Sequence, residues 1–229
     1  MYDSSYLLCM VPAFLLTMLA QWYVSSSYSR WSRVQNSHAM SGAEVARRLM
    51  QSNGLTHLKL EQVPGNLTDH YDPRSKTLRL SPGVAQGTSV AAAAIAAHEL
   101  GHAVQDHENY PLLRLRSAMV PAVSIGSNLG WILLMVGLFM EAAGIAWLGV
   151  LTFSGGALFA LATLPVELDA SRRARVLLAN SGIINNAQES GGVSNVLNAA
   201  ALTYVAALAG AISQLLYYAS IVMGMNRRS

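Results

Sequence analysis

Thr88–His107 reads TSVAAAAIAAHELGHAVQDH, and this stretch decides what kind of protein the chain is. Alanine is the best helix former, so the run predicts a helix. Inside it, His98-Glu-Leu-Gly-His102 is an H-E-x-x-H pattern. Residues four apart share one helix face, so both imidazoles can reach a single zinc ion at about 2.0–2.1 Å. Glu99, beside the first histidine, can hold and deprotonate a water that shares the metal. The apolar run ahead of it supplies the dry wall a catalytic zinc needs. Two histidines at this spacing beside a buried carboxylate are costly without a metal.

A hydrolytic zinc needs a third protein ligand and one open position. The place six residues after the second histidine holds Glu108, and His107 reads as a surface residue at the helix end. The better candidate is Glu167, in Leu164-Pro-Val-Glu-Leu-Asp-Ala-Ser-Arg-Arg173. Pro165 suits a helix start, and a carboxylate this close to an apolar run needs a partner. The competing use of Glu167 is an ion pair with Arg172 or Arg173. Asp169 lies on the opposite helical face and is expected to steady a ligand or pair with an arginine. His70 and Tyr71, in Leu67-Thr-Asp-His-Tyr-Asp-Pro73, are candidate electrophiles for the oxyanion. The bland reading of His70 is a strand histidine at a sheet margin. An edge strand here can also pair with an extended peptide.

Upstream of the motif, Ser41-Gly-Ala-Glu44 is a capping box, followed by an apolar face at Val45, Leu49 and Met50 and a stop at Asn53-Gly54. Three runs then alternate like strands: His57–Val63, Asn66–Tyr71 and Lys76–Ser81. Pro64-Gly65 and Asp72-Pro-Arg-Ser75 supply turns, and Ser81-Pro-Gly83 closes what is expected to be a small antiparallel sheet.

The rest of the chain puts this domain in a membrane. Of 229 residues, 52% are hydrophobic and only 12% charged, with a mean hydropathy of +0.33. A soluble domain carries about 25% charged residues. Spans are expected at Tyr6–Val24, at Ala118–Leu164 as two helices turned around Glu141-Ala-Ala-Gly144, and at Ala199–Met223. Gly126 and Gly130, with Ser127 between them, suit close helix packing. The first span is not read as a cleaved leader, since Asp3 rather than a basic residue precedes it and no Ala-x-Ala follows. The fold class is therefore a mainly α membrane protein of about four transmembrane helices, with a small α+β zincin-like domain between spans 1 and 2. The expected segments are 1–25 (span 1), 26–117 (zincin-like domain), 118–165 (spans 2 and 3), 166–198 (third ligand) and 199–229 (span 4 and tail).

Thirteen of the fifteen Lys and Arg residues fall in 25–117 and 165–198, one side of a four-span topology. The positive-inside rule makes that side the cytoplasm, and a cell membrane the location. Arg227 and Arg228 then fall outside, a conflict that is removed if span 4 stops short. Cys9 is the single cysteine, so no intramolecular disulfide forms. A net charge of +3 does not argue for nucleic acid. The spans hold only Glu141, which argues against a transporter.

Asp69-His-Tyr-Asp-Pro73, Ala97-His-Glu-Leu-Gly-His-Ala-Val-Gln105 and Leu164–Ala174 together resemble the YugP-type membrane zinc metallopeptidases, over nearly the whole chain. The family looks distantly similar to the gluzincins of the Ste24 and HtpX type. The resemblance implies a neutral zinc endopeptidase in a bacterial cell membrane, with one Zn2+ on His98, His102 and Glu167 and Glu99 as general base. Those relatives place an aspartate four residues after the ligand glutamate; that position here is Ser171. Expected partners are the lipid bilayer and a protein or peptide substrate near the membrane. The rival readings are a zinc-holding membrane subunit acting through a partner protein, docked by Gly126, Gly130, Gly155 and Gly156, and a zinc hydrolase of another amide or ester.

Overall fold

Among the described residues of the computed structural model, four helices are long and apolar enough to cross a membrane: Tyr6–Trp31, Pro111–Phe139, Ala143–Asn180 and Ala187–Met225. The structure describes residues 4–226; Asp3, Arg227 and Arg228 lie outside the described residues. In order, α1 (Ser4–Trp31) precedes α2 (Gly42–Ser52), β1 (Lys59–Gln62), β2 (His70–Asp72), β3 (Thr77–Leu80), α3 (Pro82–Ala85) and α4 (Val90–His107). Then follow α5 (Pro111–Phe139), α6 (Ala143–Phe153), α7 (Gly155–Asn180) and α8 (Ala187–Asn226). The protein is a mainly α membrane protein with a small sheet. Contacts divide it into two compact units.

One unit takes Pro111–Pro165 together with the start of α1 and the end of α8. Its helices show apolar side chains outward, with Phe139 90% and Leu8 78% exposed, as lipid-facing helices do and water-facing ones do not. α5 and α6 form a hairpin turned at Met140–Ala142, where Glu141 adopts φ +53°. The helices meet backbone to backbone through glycines. A Cβ on Gly137 would stand 2.3 Å from the Ala146 nitrogen, and one on Gly149 would stand 2.4 Å from that of Leu134. Gly130 is part of the same seam, 2.7 Å from the Phe153 nitrogen by the same construction, whereas Gly126 meets only ordinary contacts. Gly137→Ala is expected to lower stability in detergent by about 1–3 kcal/mol, read as a fall in thermal midpoint. Gly144→Ala, where a Cβ meets nothing within 4 Å, should leave the midpoint in place.

The other unit takes Gln21–Tyr110 and Val166–Leu202. α4 lies at its centre, with Val90–Ala94, Ala96, Ala97, Leu100 and Ala103 all buried. A helix buried around most of its girth needs small side chains on every face, which is what the alanine run provides. α2 begins with the expected capping box: Glu44 N–H donates to Ser41 Oγ and Ser41 N–H donates to Glu44 Oε2, a cap worth about 1 kcal/mol. Its face of Val45, Leu49 and Met50 joins the core around α4. Asn53 caps the other end, and Gly54 takes φ +70°.

The sheet differs from the antiparallel expectation. Its order is β1-β3-β2, with β1 parallel to β3 and only β2 antiparallel to it. Alternation of apolar residues records which face is buried but not strand direction. The tight Asp72–Lys76 turn forces β2 and β3 into a hairpin, whereas the longer Val63–Asp69 link lets β1 dock on the far side of β3. The run read from Asn66 begins as strand only at His70. Asp72 organises the turn, accepting from Arg74 N–H, the Ser75 hydroxyl and Arg79. The Ser75 bond, then the Arg74 bond, hold its carboxyl below the usual aspartate range.

Pro165 does not start a helix; it lies inside α7. Gly155–Leu164 are already helical, so the proline removes one bond to the preceding turn, a loss tolerated in apolar helices. Likewise, Val166–Asn180 and the residues from Ala187 onward continue the long helices α7 and α8. α8, at 40 residues, is about 60 Å long by its rise per residue, ample to cross a bilayer.

Candidate metal centre

α4 and α7 touch where both are narrow. A Cβ on Gly101 would lie 2.6 Å from the carbonyl oxygen of Ala170 and 3.2 Å from its Cα. Only glycine permits this approach, and it sets two turns of α4 directly against the turn of α7 that begins at Glu167.

At that crossing three side chains converge. His98 Nε2 lies 3.2 Å and His102 Nε2 3.4 Å from the same oxygen, Glu167 Oε2. One donor atom from each of the three residues lies within 4.8 Å of the others. The two rings stand edge to face at 84°, centroids 4.9 Å apart. Glu167 is 2% exposed, so its charge has been withdrawn from water and needs a cation.

The outer nitrogens of both rings are held. Gln105 Nε2 donates to the Val166 carbonyl at 2.8 Å and to Asp169 Oδ2 at 2.9 Å. Two acceptors around its nitrogen fix the amide's orientation, so Gln105 Oε1 must accept from His102 Nδ1, 3.0 Å away. With that proton on Nδ1, the neutral ring offers its Nε2 lone pair to the centre. Ser171 Oγ stands 3.2 Å from His98 Nδ1, where a hydroxyl can accept the same proton from the first ring. Burial alone would push the pKa of His102 down. The hydrogen bond and charge of Glu167, with the charge of Glu99, hold it above the usual histidine value instead. The pocket thus attracts positive charge. Two neutral imidazoles and one carboxylate are the donor set of a catalytic zinc with an open position; calcium and magnesium prefer oxygen alone.

Glu99 occupies the neighbouring face of α4. Its Oε2 accepts the backbone N–H of Tyr71 in β2 at 3.0 Å. The Tyr71 hydroxyl points elsewhere, donating to Asp106 Oδ2 at 2.6 Å. Burial and the Asp106 bond raise its pKa, so it stays protonated. His70 is exposed, its Nδ1 donating to the Thr68 carbonyl. Neither side chain has a hydrogen bond to the three donors among the described residues. His107 is also exposed, its ring 6.1 Å from that of His57. Asp169 takes up both expected alternatives, binding Arg172 and Arg173 and also Gln105.

Gln105 and Ser171 carry roles that the motifs alone did not assign. Gln105 lies seven residues after His98 on the same helix face, and Ser171 lies four after Glu167. A buried polar residue one or two turns from a ligand was the available signal.

Residues 6–223 match the family described as "Putative neutral zinc metallopeptidase". The chain is 41% identical over 213 residues to a Bacillus subtilis (strain 168) protein named "Putative membrane protease YugP", covering 93% of this chain and 94% of that one. No solved structure matches it.

Proposed function

Given that the chain belongs to the family described as "Putative neutral zinc metallopeptidase", we propose that it is a membrane-anchored zinc endopeptidase cutting membrane or membrane-proximal proteins. The observation that carries this reading is the convergence of His98 Nε2, His102 Nε2 and Glu167 Oε2, with both outer nitrogens already held. Those three atoms would hold the metal. Zinc, when bound, polarises a carbonyl oxygen and lowers the pKa of water to about 7.

The chain's own groups do the rest. Glu99 takes a proton from the attacking water and passes it to the leaving amine nitrogen. The Tyr71 N–H holds Oε2 of Glu99, which leaves Oε1 as the oxygen free to carry the proton. Gln105 fixes the tautomer and orientation of His102, and Ser171 holds the orientation of His98. The packed α4–α7 crossing excludes water from behind the ligands. Glu167 follows the apolar run ending at Leu164 by three residues, which favours substrates at the membrane surface. The bias of Lys and Arg favours a cytoplasmic site. An unfolded soluble protein cut as fast as the same sequence tethered to a membrane span would overturn the substrate class.

The test is zinc per polypeptide, by elemental analysis of detergent-purified protein beside Glu167→Ala. About one zinc in the parent and clear loss in the variant are expected. One zinc in both would move the third ligand to Asp169, His107 or another chain. None in either, under metal-replete conditions, would sink the proposal.

A further inference from the structure

We propose that Tyr71, clamped by Asp106 and Lys76, is a strut that positions the Glu99 carboxylate, an inference that rests on the peptidase reading above. Glu99, Ala103 and Asp106 follow one another along one face of α4. Tyr71 bridges the two acids of that face. Its backbone N–H donates to Glu99 Oε2 at 3.0 Å, and its hydroxyl donates to Asp106 Oδ2 at 2.6 Å. Ala103, between the acids, lines the same cavity as the tyrosine. Lys76 Nζ approaches the same Asp106 oxygen, also at 2.6 Å.

Asp106 therefore grips the β2–β3 hairpin at two places, through Tyr71 in β2 and through Lys76 in the turn before β3. That grip matters because β2 is only three residues long and is paired on one side alone. Such a short edge strand fixes the direction of an N–H poorly. Bonds to an ionised acceptor are about twice as strong as neutral ones, and here they act at the far end of the ring, as a lever would. Tyr71 is 9% exposed, so little solvent competes for its hydroxyl. Glu99 has no other side-chain hydrogen bond among the described residues. Its orientation thus depends on the N–H of Tyr71. Asp106, Lys76 and the Tyr71 side chain are positioning residues; none touches the reacting atoms.

The test compares Tyr71→Phe, Asp106→Asn and the double variant in the zinc-loaded protein, on one internally quenched peptide that the parent cleaves. Each single variant should lower kcat about tenfold and leave KM and zinc content unchanged. The double variant should be no slower than the slower single, because both changes act on the same bond, Tyr71→Phe removing its donor and Asp106→Asn taking the charge from its acceptor. Losses that multiply, a change confined to KM, or an unchanged kcat would overturn the strut. Hydrogen exchange on the metal-free protein gives a readout independent of turnover. The Tyr71 amide should exchange about tenfold faster in Asp106→Asn, and unaltered exchange would also overturn it. If the buried variants fail to fold, Lys76→Gln decides at a half-exposed position: kcat about twofold to threefold lower supports the clamp, and an unchanged kcat with unchanged exchange defeats it. A parent that cleaves no peptide would defeat the peptidase reading, while exchange would still decide the strut.

Discussion

Glu99→Gln is expected to keep the parent's zinc and lose about a thousandfold in kcat, the range a positioned general base contributes. The amide matches the carboxylate in size and can still accept the Tyr71 N–H, so the hairpin and α4 should stay in place. It has no lone pair basic enough to take a proton from water. Because Glu99 is not one of the three converging donors, metal affinity should not follow activity down. Parallel elemental analysis and peptide turnover separate the possibilities. Full activity in the variant would remove Glu99 from the chemistry. Loss of zinc along with activity would make it a ligand instead.

The second large effect is expected at a residue without a side chain. In Gly101→Ala the new Cβ would fall 2.6 Å from the Ala170 carbonyl oxygen and 3.2 Å from two more backbone atoms. Backbone cannot swing aside as a flexible side chain can, so α4 and α7 must separate or slide. Ala170 lies between Glu167 and Ser171, so any shift moves a donor and the partner of a donor together. Zinc affinity should fall about 10–100-fold, as when a ligand's support is lost, and excess zinc should recover part of the activity. Gly191→Ala is the control: a Cβ there meets nothing within 4 Å, and alanine is the better helix former. Competition with a zinc chelator reads both variants. Parent-like affinity in Gly101→Ala would show that the crossing is softer than its contacts imply.

The features legible in the sequence are those written in local spacing. His98 and His102 are one turn apart, so the helix that carries them also states that they share a face. Ser41 and Glu44 declare a helix start by the same local logic, and Asn53-Gly54 its end. Glu167 could be nominated because a carboxylate beside an apolar run is costly alone. Strand direction was not legible: β1 pairs directly with β3 although β2 comes between them in the chain, and side-chain alternation is the same for either direction. Pro165 misled because its preference for helix starts is a local signal, overridden by an apolar stretch that was already helical. Gln105 lies within the motif, yet no local signal gives it a role, since only the arrival of Val166 and Asp169 beside its amide nitrogen fixes which way it faces. Ser171 likewise acquired its meaning from the packing of α7 on α4.

The donors of the centre are not made together. His98 and Glu167 are 69 residues apart in the chain, with α5 and α6 between them. At about 5–20 residues per second, a ribosome delivers Glu167 roughly 3–14 s after His98. For nearly all of that interval the growing chain holds both imidazoles and Glu99 but not the Glu167 carboxylate. A nascent chain or a truncated product that ends before α7 therefore lacks the third of the converging donors. Completion of the membrane hairpin comes first in the order of synthesis, and on the peptidase reading proposed above the capacity to cut comes after it.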